Sequence, residues 1–480
     1  MQQPVATSAH KENPMAVPAR ISPLSALPWP ALFLLSTFLA TFPVPAAGMD
    51  RVDFPQAVAR ALRGNPSLAA AGFGYAAARQ DVETARGYYL PGLTFGSRFV
   101  RTNLPAEVFA LTLNQGQLTA ADFQNVNNFN NPPPRNDFIT TFTLEQPLFV
   151  PRVYLGHKMA RAEAEAKGLD FSRAEEETVY QVLTAYLNVL TAKSYAAVAE
   201  QALSDAREHL RTAEALERAG MGLASDVLRA KVFVASAEAG KVTAENALEV
   251  AQRSLSLVLG EQGAGPVDVS GPPPEFPDAG SLEELQASAA RRADLRAVSM
   301  RVENAGYNEE LRKSEYLPTV DLRGAYQLDA ESGPFAVDNR SWMVGVGLSW
   351  NIFDGLRRES GVSRAASERR QAEEYSRGAR DQAAFQVAQA YLGVREAQRR
   401  AEIARAAVTA AEEGVRLIRT RYENQLSRLL DVLDAQAALN QARADAMKAE
   451  NDVRQSRARR MYVTGTLLSW AVPEGKEARP

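Results

Sequence analysis

Residues 342–355 read Trp-Met-Val-Gly-Val-Gly-Leu-Ser-Trp-Asn-Ile-Phe-Asp-Gly. Trp342, Val344, Val346, Leu348, Trp350 and Ile352 fall on one side of a two-residue period, and mostly small or polar residues fall on the other. Side chains alternate across a strand with that period, so the stretch predicts a strand with one apolar face. One apolar face over about 10 residues, with aromatics near the ends, is the pattern of a barrel strand facing lipid. Just upstream, Val320, Leu322, Gly324, Tyr326 and Leu328 alternate with Thr319, Asp321, Arg323, Ala325 and Gln327. These two strands are predicted over about 318–329 and 341–353.

Outward from the strand pair the period changes. Upstream, an Ala-rich segment from Ser281 to Tyr316 ends at Leu317-Pro318, where proline stops a helix. Downstream, Leu356 to Glu423 contains no proline. A helix of ~65 residues is about 98 Å long, more than a globular core requires. Apolar residues recur at spacings of three and four, at Val408, Ala411, Val415, Ile418 and Tyr422, and again at Leu430, Leu433, Ala437, Ala444 and Met447. That spacing predicts coiled-coil packing in a helical hairpin turning near 424–431.

The layout is written twice. Tyr316-Leu317-Pro318 has an earlier counterpart in Tyr89-Leu90-Pro91, and Phe353 in Phe149. Ala390-Tyr391-Leu392 repeats Ala185-Tyr186-Leu187, and Leu430-Asp431-Val432-Leu433 repeats Ser225-Asp226-Val227-Leu228. Thr464-Gly465 repeats Leu259-Gly260. Repeat 1 is therefore placed at 47–260, with strands about 91–103 and 136–149 and a hairpin tip about 219–226; repeat 2 is placed at 281–466. Residues 261–280, rich in Pro and Gly, form the linker, and 467–480 form a tail. Repeat 1 carries extra residues between its strands, and 103–136, rich in Asn, Gln, Pro and Phe, predicts a long external loop. Four strands cannot close a barrel, and bilayer hydrocarbon offers no partner to an open edge, so several copies must contribute strands.

Residues 31–41, Ala-Leu-Phe-Leu-Leu-Ser-Thr-Phe-Leu-Ala-Thr, form an apolar core too short to span a bilayer, preceded by Lys11 and Arg20 and followed by Pro43 and small residues. Residues 1–46 are thus expected to be an export signal. No later stretch approaches 18 apolar residues. Aromatics are only 8% of the chain, and the formal net charge is −3, which implies no broad basic surface for nucleic acid. The absence of cysteine excludes disulfides, thiolate chemistry and an acylated N-terminal Cys. The three histidines are His10, His157 and His209, the last two expected on helix surfaces. With no P-loop, HExxH or GxSxG pattern, the sequence predicts no enzyme, cofactor or metal site.

Leu-Pro before a strand, Gln146-Pro147-Leu148-Phe149 and Trp350-Asn351-Ile352-Phe353-Asp354-Gly355 after one, Ala-Tyr-Leu in the hairpin and Asp431-Val432-Leu433-Asp434-Ala435-Gln436 beside its tip together resemble the TolC-like outer-membrane efflux protein family. The resemblance covers essentially the whole mature chain. It implies a mainly α fold with membrane β: a homotrimer with a 12-stranded β-barrel and a 12-helix periplasmic tunnel. The implied function is the exit duct of a tripartite efflux or type I secretion system, set in outer-membrane lipid. The implied partners are a periplasmic adaptor (membrane fusion protein) and an inner-membrane pump or ABC transporter, with the choice of cargo lying largely in the pump.

The resemblance also assigns the tips. Asp431 and Asp434, three residues apart and so on one helix face, match the family's acidic pair at the narrowest point. Tyr422 matches a gate tyrosine, and Ser225-Asp226 match a Thr-Asp pair. The family's gate arginine aligns with Ser427, whereas this chain places Arg428 one residue later. Gly220, Met221, Gly222, Leu223, Leu426 and Ser427 then form the adaptor-docking tips. The plainer expectation for the same residues is that Gly ends one helix and Ser or Asp caps the next. Two other readings compete with the duct. A periplasmic adaptor would carry one hairpin flanked by sheet domains, and a coiled-coil scaffold would carry no barrel strands.

Overall fold

The computed structural model describes residues 50–125, 127–261, 263, 265–277 and 280–472. The expected signal at 1–46 and the tail from 473 onward lie outside them. Repeat 1 opens with β1 (Arg51–Val52), α1 (Phe54–Gly64) and α2 (Pro66–Gly87). Strand β2 (Gly92–Thr102) follows; then come α3 (Pro105–Asn114), a 3-10 turn, α4 (Asn127–Asn130) and β3 (Arg135–Phe149). The hairpin is α5 (Pro151–Arg218) and α6 (Ala224–Leu259). Strand β4 (Asp268–Val269) lies between the repeats. Repeat 2 gives α7 (Leu282–Ala289), α8 (Ala293–Ser314), β5 (Thr319–Ala330), β6 (Asn339–Ser349), α9 (Arg357–Glu423) and α10 (Leu429–Thr464), and α11 (Leu467–Ala471) ends the described chain.

Three features differ from the sequence reading. The single helix expected before each strand pair is two helices. In repeat 1 the break is Asn65-Pro66: the Asn65 side chain accepts hydrogen bonds from Ser67 N at 2.9 Å and Leu68 N at 3.1 Å, which caps α2. The Pro/Gly-rich linker contains β4, which pairs in parallel with β1 through Arg51↔Asp268 and Val52↔Val269. The start of the tail is helical, and Leu467 is fully buried.

The four long strands form one antiparallel sheet in the order β2-β3-β5-β6. The register places Phe95, Phe142, Tyr326 and Trp342 side by side on one face. The other face carries Arg98, Asp137, Asp329 and a cross-strand pair, Arg323 with Glu145 at 2.9 Å. An aromatic face and a charged face suit lipid on one side and water on the other. Among the described residues, strands β2 and β6 each leave one edge without a partner. No described helix is long and apolar enough to cross a membrane.

Below the sheet, α5 (68 residues) and α9 (67 residues) are each about 100 Å long, while α6 and α10, at 36 residues each, reach about 54 Å. The remaining length is covered by α2 against α5, and by α8 against both α5 and α9. The helices thus form a continuous row, with α10 joining the two hairpins through α5. Midway, Val52, Phe54, Val58, Leu183, Tyr186, Leu255, Leu259, Met461 and Leu467 close one apolar core. Tyr186 donates to Ser270 O at 2.6 Å and so ties the linker to α5.

Beside this core lies a buried ionic network. Arg173 Nη1 donates to Glu176 Oε2 at 2.6 Å and to Tyr462 O at 3.0 Å, and its guanidinium lies 3.8 Å over the Tyr462 ring. Arg292 pairs with Asp294 at 2.6 Å and donates to Val463 O and Gln386 Oε1, each at 3.1 Å. Burial pushes the Glu176 carboxyl up despite the Arg173 charge. Burial also works against ionised Asp294, but hydrogen bonds and charge from Arg292 and Arg173 hold its carboxyl low. The network joins α5, α8, α9 and α10.

Candidate functional site: the hairpin tips

At the first tip α5 stops because Gly220 turns left-handed, with φ +71. Gly220 N and Met221 N then donate to Glu217 O and Leu216 O, both at 2.9 Å, and satisfy the helix's last carbonyls. The residue before α6 is Leu223, which provides no side-chain cap. Ser225 and Asp226 therefore lie inside the first turn rather than at the cap, which corrects the expectation for this helix.

The second tip repeats this geometry with different chemistry. Gln425, 205 residues after Gly220, adopts φ +61, a conformation that disfavours any side chain. Its amide contacts Met221 Sδ at 3.8 Å, so the two tips touch. Leu426 N donates to Arg421 O at 2.7 Å, and Ser427 Oγ donates to Ile418 O at 3.3 Å. The cap of α10 comes from inside the helix: Asp431 Oδ2 accepts from Arg428 N at 3.0 Å. Arg428 also pairs with Asp431 at 3.5 Å. Within one chain, Arg428 is thus directed at the acidic residue of its own turn.

Asp434, one turn on, is exposed and borders an open groove of about 570 Å³ between α6 and α10, lined by Leu228, Val232, Phe233, Leu430 and Leu433. Tyr422 packs on a small apolar core of Ala213, Val227, Ala230, Leu429 and Leu433. Burial and the nearby Asp226 charge push its phenol up. Tyr422 of the second hairpin thus packs on residues of the first. Met221, Leu223 and Leu426 are all more than 60% exposed, so the tips present apolar side chains.

Sequence reasoning missed a polar layer just above this core. Gln436, 4% exposed, donates to Asp205 Oδ2 at 3.2 Å and Asn440 Oδ1 at 3.1 Å, which links α10 to α5. His209, expected on a helix surface, faces this layer, and burial pushes its imidazole down. The signal was present in Gln436, a polar residue at an inward hairpin position. Among the described residues, no group of three or more His, Cys, Asp or Glu is placed to hold a metal ion.

Known proteins match this chain in both sequence and fold. A family model described as outer membrane efflux protein matches residues 57–261 and 285–466. The outer membrane efflux protein BepC of Brucella suis is 26% identical over 67% of this chain and 71% of its own length. The proteases secretion protein PrtF of Dickeya chrysanthemi is 21% identical over 85% of this chain and 87% of its own. A crystal structure of a membrane protein from Pseudomonas aeruginosa superposes with a TM-score of 0.74 at 23% identity, covering 86% of this chain and 93% of that one.

Proposed function

The chain belongs to the outer membrane efflux protein family, and on that premise we propose that three copies build its duct and that the paired hairpin tips close it. The duct itself is an outer-membrane exit channel that extends into the periplasm. The observation that supports an assembly of several copies is the open sheet, and the count of three is what the family resemblance implies. Edges on β2 and β6, beside an aromatic face, need neighbouring strands in hydrocarbon. Three copies give 12 strands, and the helix rows give a tunnel about 100 Å long.

Asp431, Asp434, Tyr422, Arg428, Ser225 and Asp226 then form the periplasmic constriction. In a threefold ring, Asp431 and Asp434 would gather six carboxylates, which favours cations. The support is Tyr422 packed across onto the first hairpin and Asp434 left exposed at the groove. The apolar tips, Gly220, Met221, Gly222, Leu223, Leu426 and Ser427, receive a periplasmic adaptor that connects the duct to an inner-membrane pump or ABC transporter. BepC is named for efflux and PrtF for protease secretion, so both tripartite efflux and type I secretion suit this fold. Extraction from outer membranes tests the assembly: the protein should leave only in detergent and migrate as a heat-sensitive trimer. A water-soluble, monodisperse monomer overturns it.

A further inference from the structure

The aromatic face of the four-stranded sheet is not apolar throughout. Side chains alternate along a strand, so Arg101 shares the face of Phe99 and Phe95, and Arg340 shares the face of Trp342. Among the described strand residues these two arginines are the only charges on that face. Both are exposed. Neither has an acidic partner among the described residues. On the opposite face, by contrast, Arg323 is paired with Glu145 at 2.9 Å.

The two arginines also share one end of the sheet. Strand β2 leads away from α2 and reaches Arg101 one residue before its end, while β6 starts at Asn339 and runs back toward α9, with Arg340 as its second residue. That end lies away from the helices. In a duct whose helices enter the periplasm, it is the outer-leaflet end. A guanidinium is costly in hydrocarbon and tolerated near the membrane surface, where its stem lies along apolar neighbours and its head reaches the headgroup layer. Phe99 and Trp342, 53% and 76% exposed, stand one step inward of the two arginines, as aromatics do at the border of the hydrocarbon.

Within one chain the pair is separated. Strands β2 and β6 are the outermost strands, with two between them, so about 14 Å of sheet divides them. Closing the barrel changes this. The order β2-β3-β5-β6 alternates in direction, so β2 of one copy lies antiparallel beside β6 of the next, about 4.8 Å away. Each seam then gathers two guanidiniums on its lipid side, at one end, with no carboxylate on that face. Paired guanidiniums of this kind suit phosphate, which arginine binds through two parallel hydrogen bonds. We propose that each seam between protomers holds a phosphorylated lipid headgroup of the outer leaflet, with Arg101 of one copy and Arg340 of the next on its phosphate oxygens and its acyl chains along Phe99 and Trp342. The lipid clasps an interface that the chains otherwise make by strand edges. This rests on the trimer reading, whose failure the experiment reads separately.

The probe is lipid A, added to the trimer purified in detergent, and the readout is the half-life of the unheated trimer at a fixed elevated temperature. Lipid A should lengthen that half-life several-fold, and dephosphorylated lipid A or inorganic phosphate should do so far less. Arg101→Gln/Arg340→Gln should lose the difference between lipid A and its dephosphorylated form. Arg98→Gln, on the opposite face, should keep it. In the wild-type protein alone, equal protection by dephosphorylated lipid A overturns the proposal, because burial of apolar surface then explains the effect. Equal protection by inorganic phosphate overturns it as well, since no lipid is then needed. A double variant that responds as the wild type does also overturns it. Wild-type protein that leaves the membrane without a trimer band defeats the trimer reading instead.

Discussion

Arg173→Ala should destabilise the duct in a way that depends on pH. Arg173 and Glu176 are 13% and 6% exposed and 2.6 Å apart. Removing the guanidinium also removes the contact over Tyr462 and the bond to its carbonyl. Glu176 then keeps the Leu467 N–H at 3.3 Å and the more distant Arg292 charge. Breaking a buried pair from one side costs about 3–5 kcal/mol, because a charge stays buried without its partner. The sign follows from burial, which already raises the Glu176 carboxyl in the folded state. A carboxyl raised on folding contributes stability below its unfolded pKa and loses that contribution as pH rises through the folded value. Loss of Arg173 raises the carboxyl further. The deficit of Arg173→Ala should therefore be full near pH 8 and clearly smaller near pH 5. Adding Glu176→Gln should restore much of the loss, since the carboxylate left without its partner is then gone. The measurement is the half-life of the folded protein in detergent at a fixed elevated temperature, because large membrane proteins unfold irreversibly. Equal deficits at both pH values, or a double variant no longer-lived than Arg173→Ala, would refute the reasoning.

The acidic pair is tested by Asp431→Asn/Asp434→Asn, which keeps a capping oxygen on Arg428 N while removing six charges from a trimer. Cation preference from the single-channel reversal potential in a salt gradient should fall, and block by trivalent cations should weaken; no change in either sinks the ring. Gln425→Gly should relieve roughly 1 kcal/mol of left-handed backbone strain. Slower amide exchange at the second tip would show the gain, and faster exchange would mean that the Gln425–Met221 contact outweighs the strain.

The architecture was legible because it rests on periodicity. The two-residue alternation from Trp342 to Ile352 and the proline-free run after Leu356 are large signals, each seen twice. The strands found are Thr319–Ala330 and Asn339–Ser349, so Trp350 and Ile352, read as part of the alternating strand, fall beyond its end. What escaped was carried by single residues. One asparagine, Asn65, both ends α1 and caps α2, and no period announces that. Strand β4 is only two residues long, and it exists because β1, over 200 residues away, offers a matching edge. Long-range pairing of this kind leaves no local trace in a Pro/Gly-rich segment.

The tips show the same division at higher stakes. Their positions followed from Gly220 and from the repeat offset, which maps Gly220 onto Gln425. The repeat alone would predict matching chemistry at both tips, and the structure departs from it. Leu223 leaves α6 uncapped, whereas Asp431 caps α10 from its third position. The second tip therefore holds a left-handed glutamine and a carboxylate already committed to its own backbone. The first tip holds two glycines and Asp226 in the first turn of α6. A hinge should yield where the backbone is least constrained. The constraints sit on the second hairpin, so movement between the hairpins should be taken up mainly by the glycines at 220 and 222, with Asp431 holding the start of α10 rigid. The acidic pair would then travel as one unit with its helix, which is what a gate built from a fixed ring of charges requires.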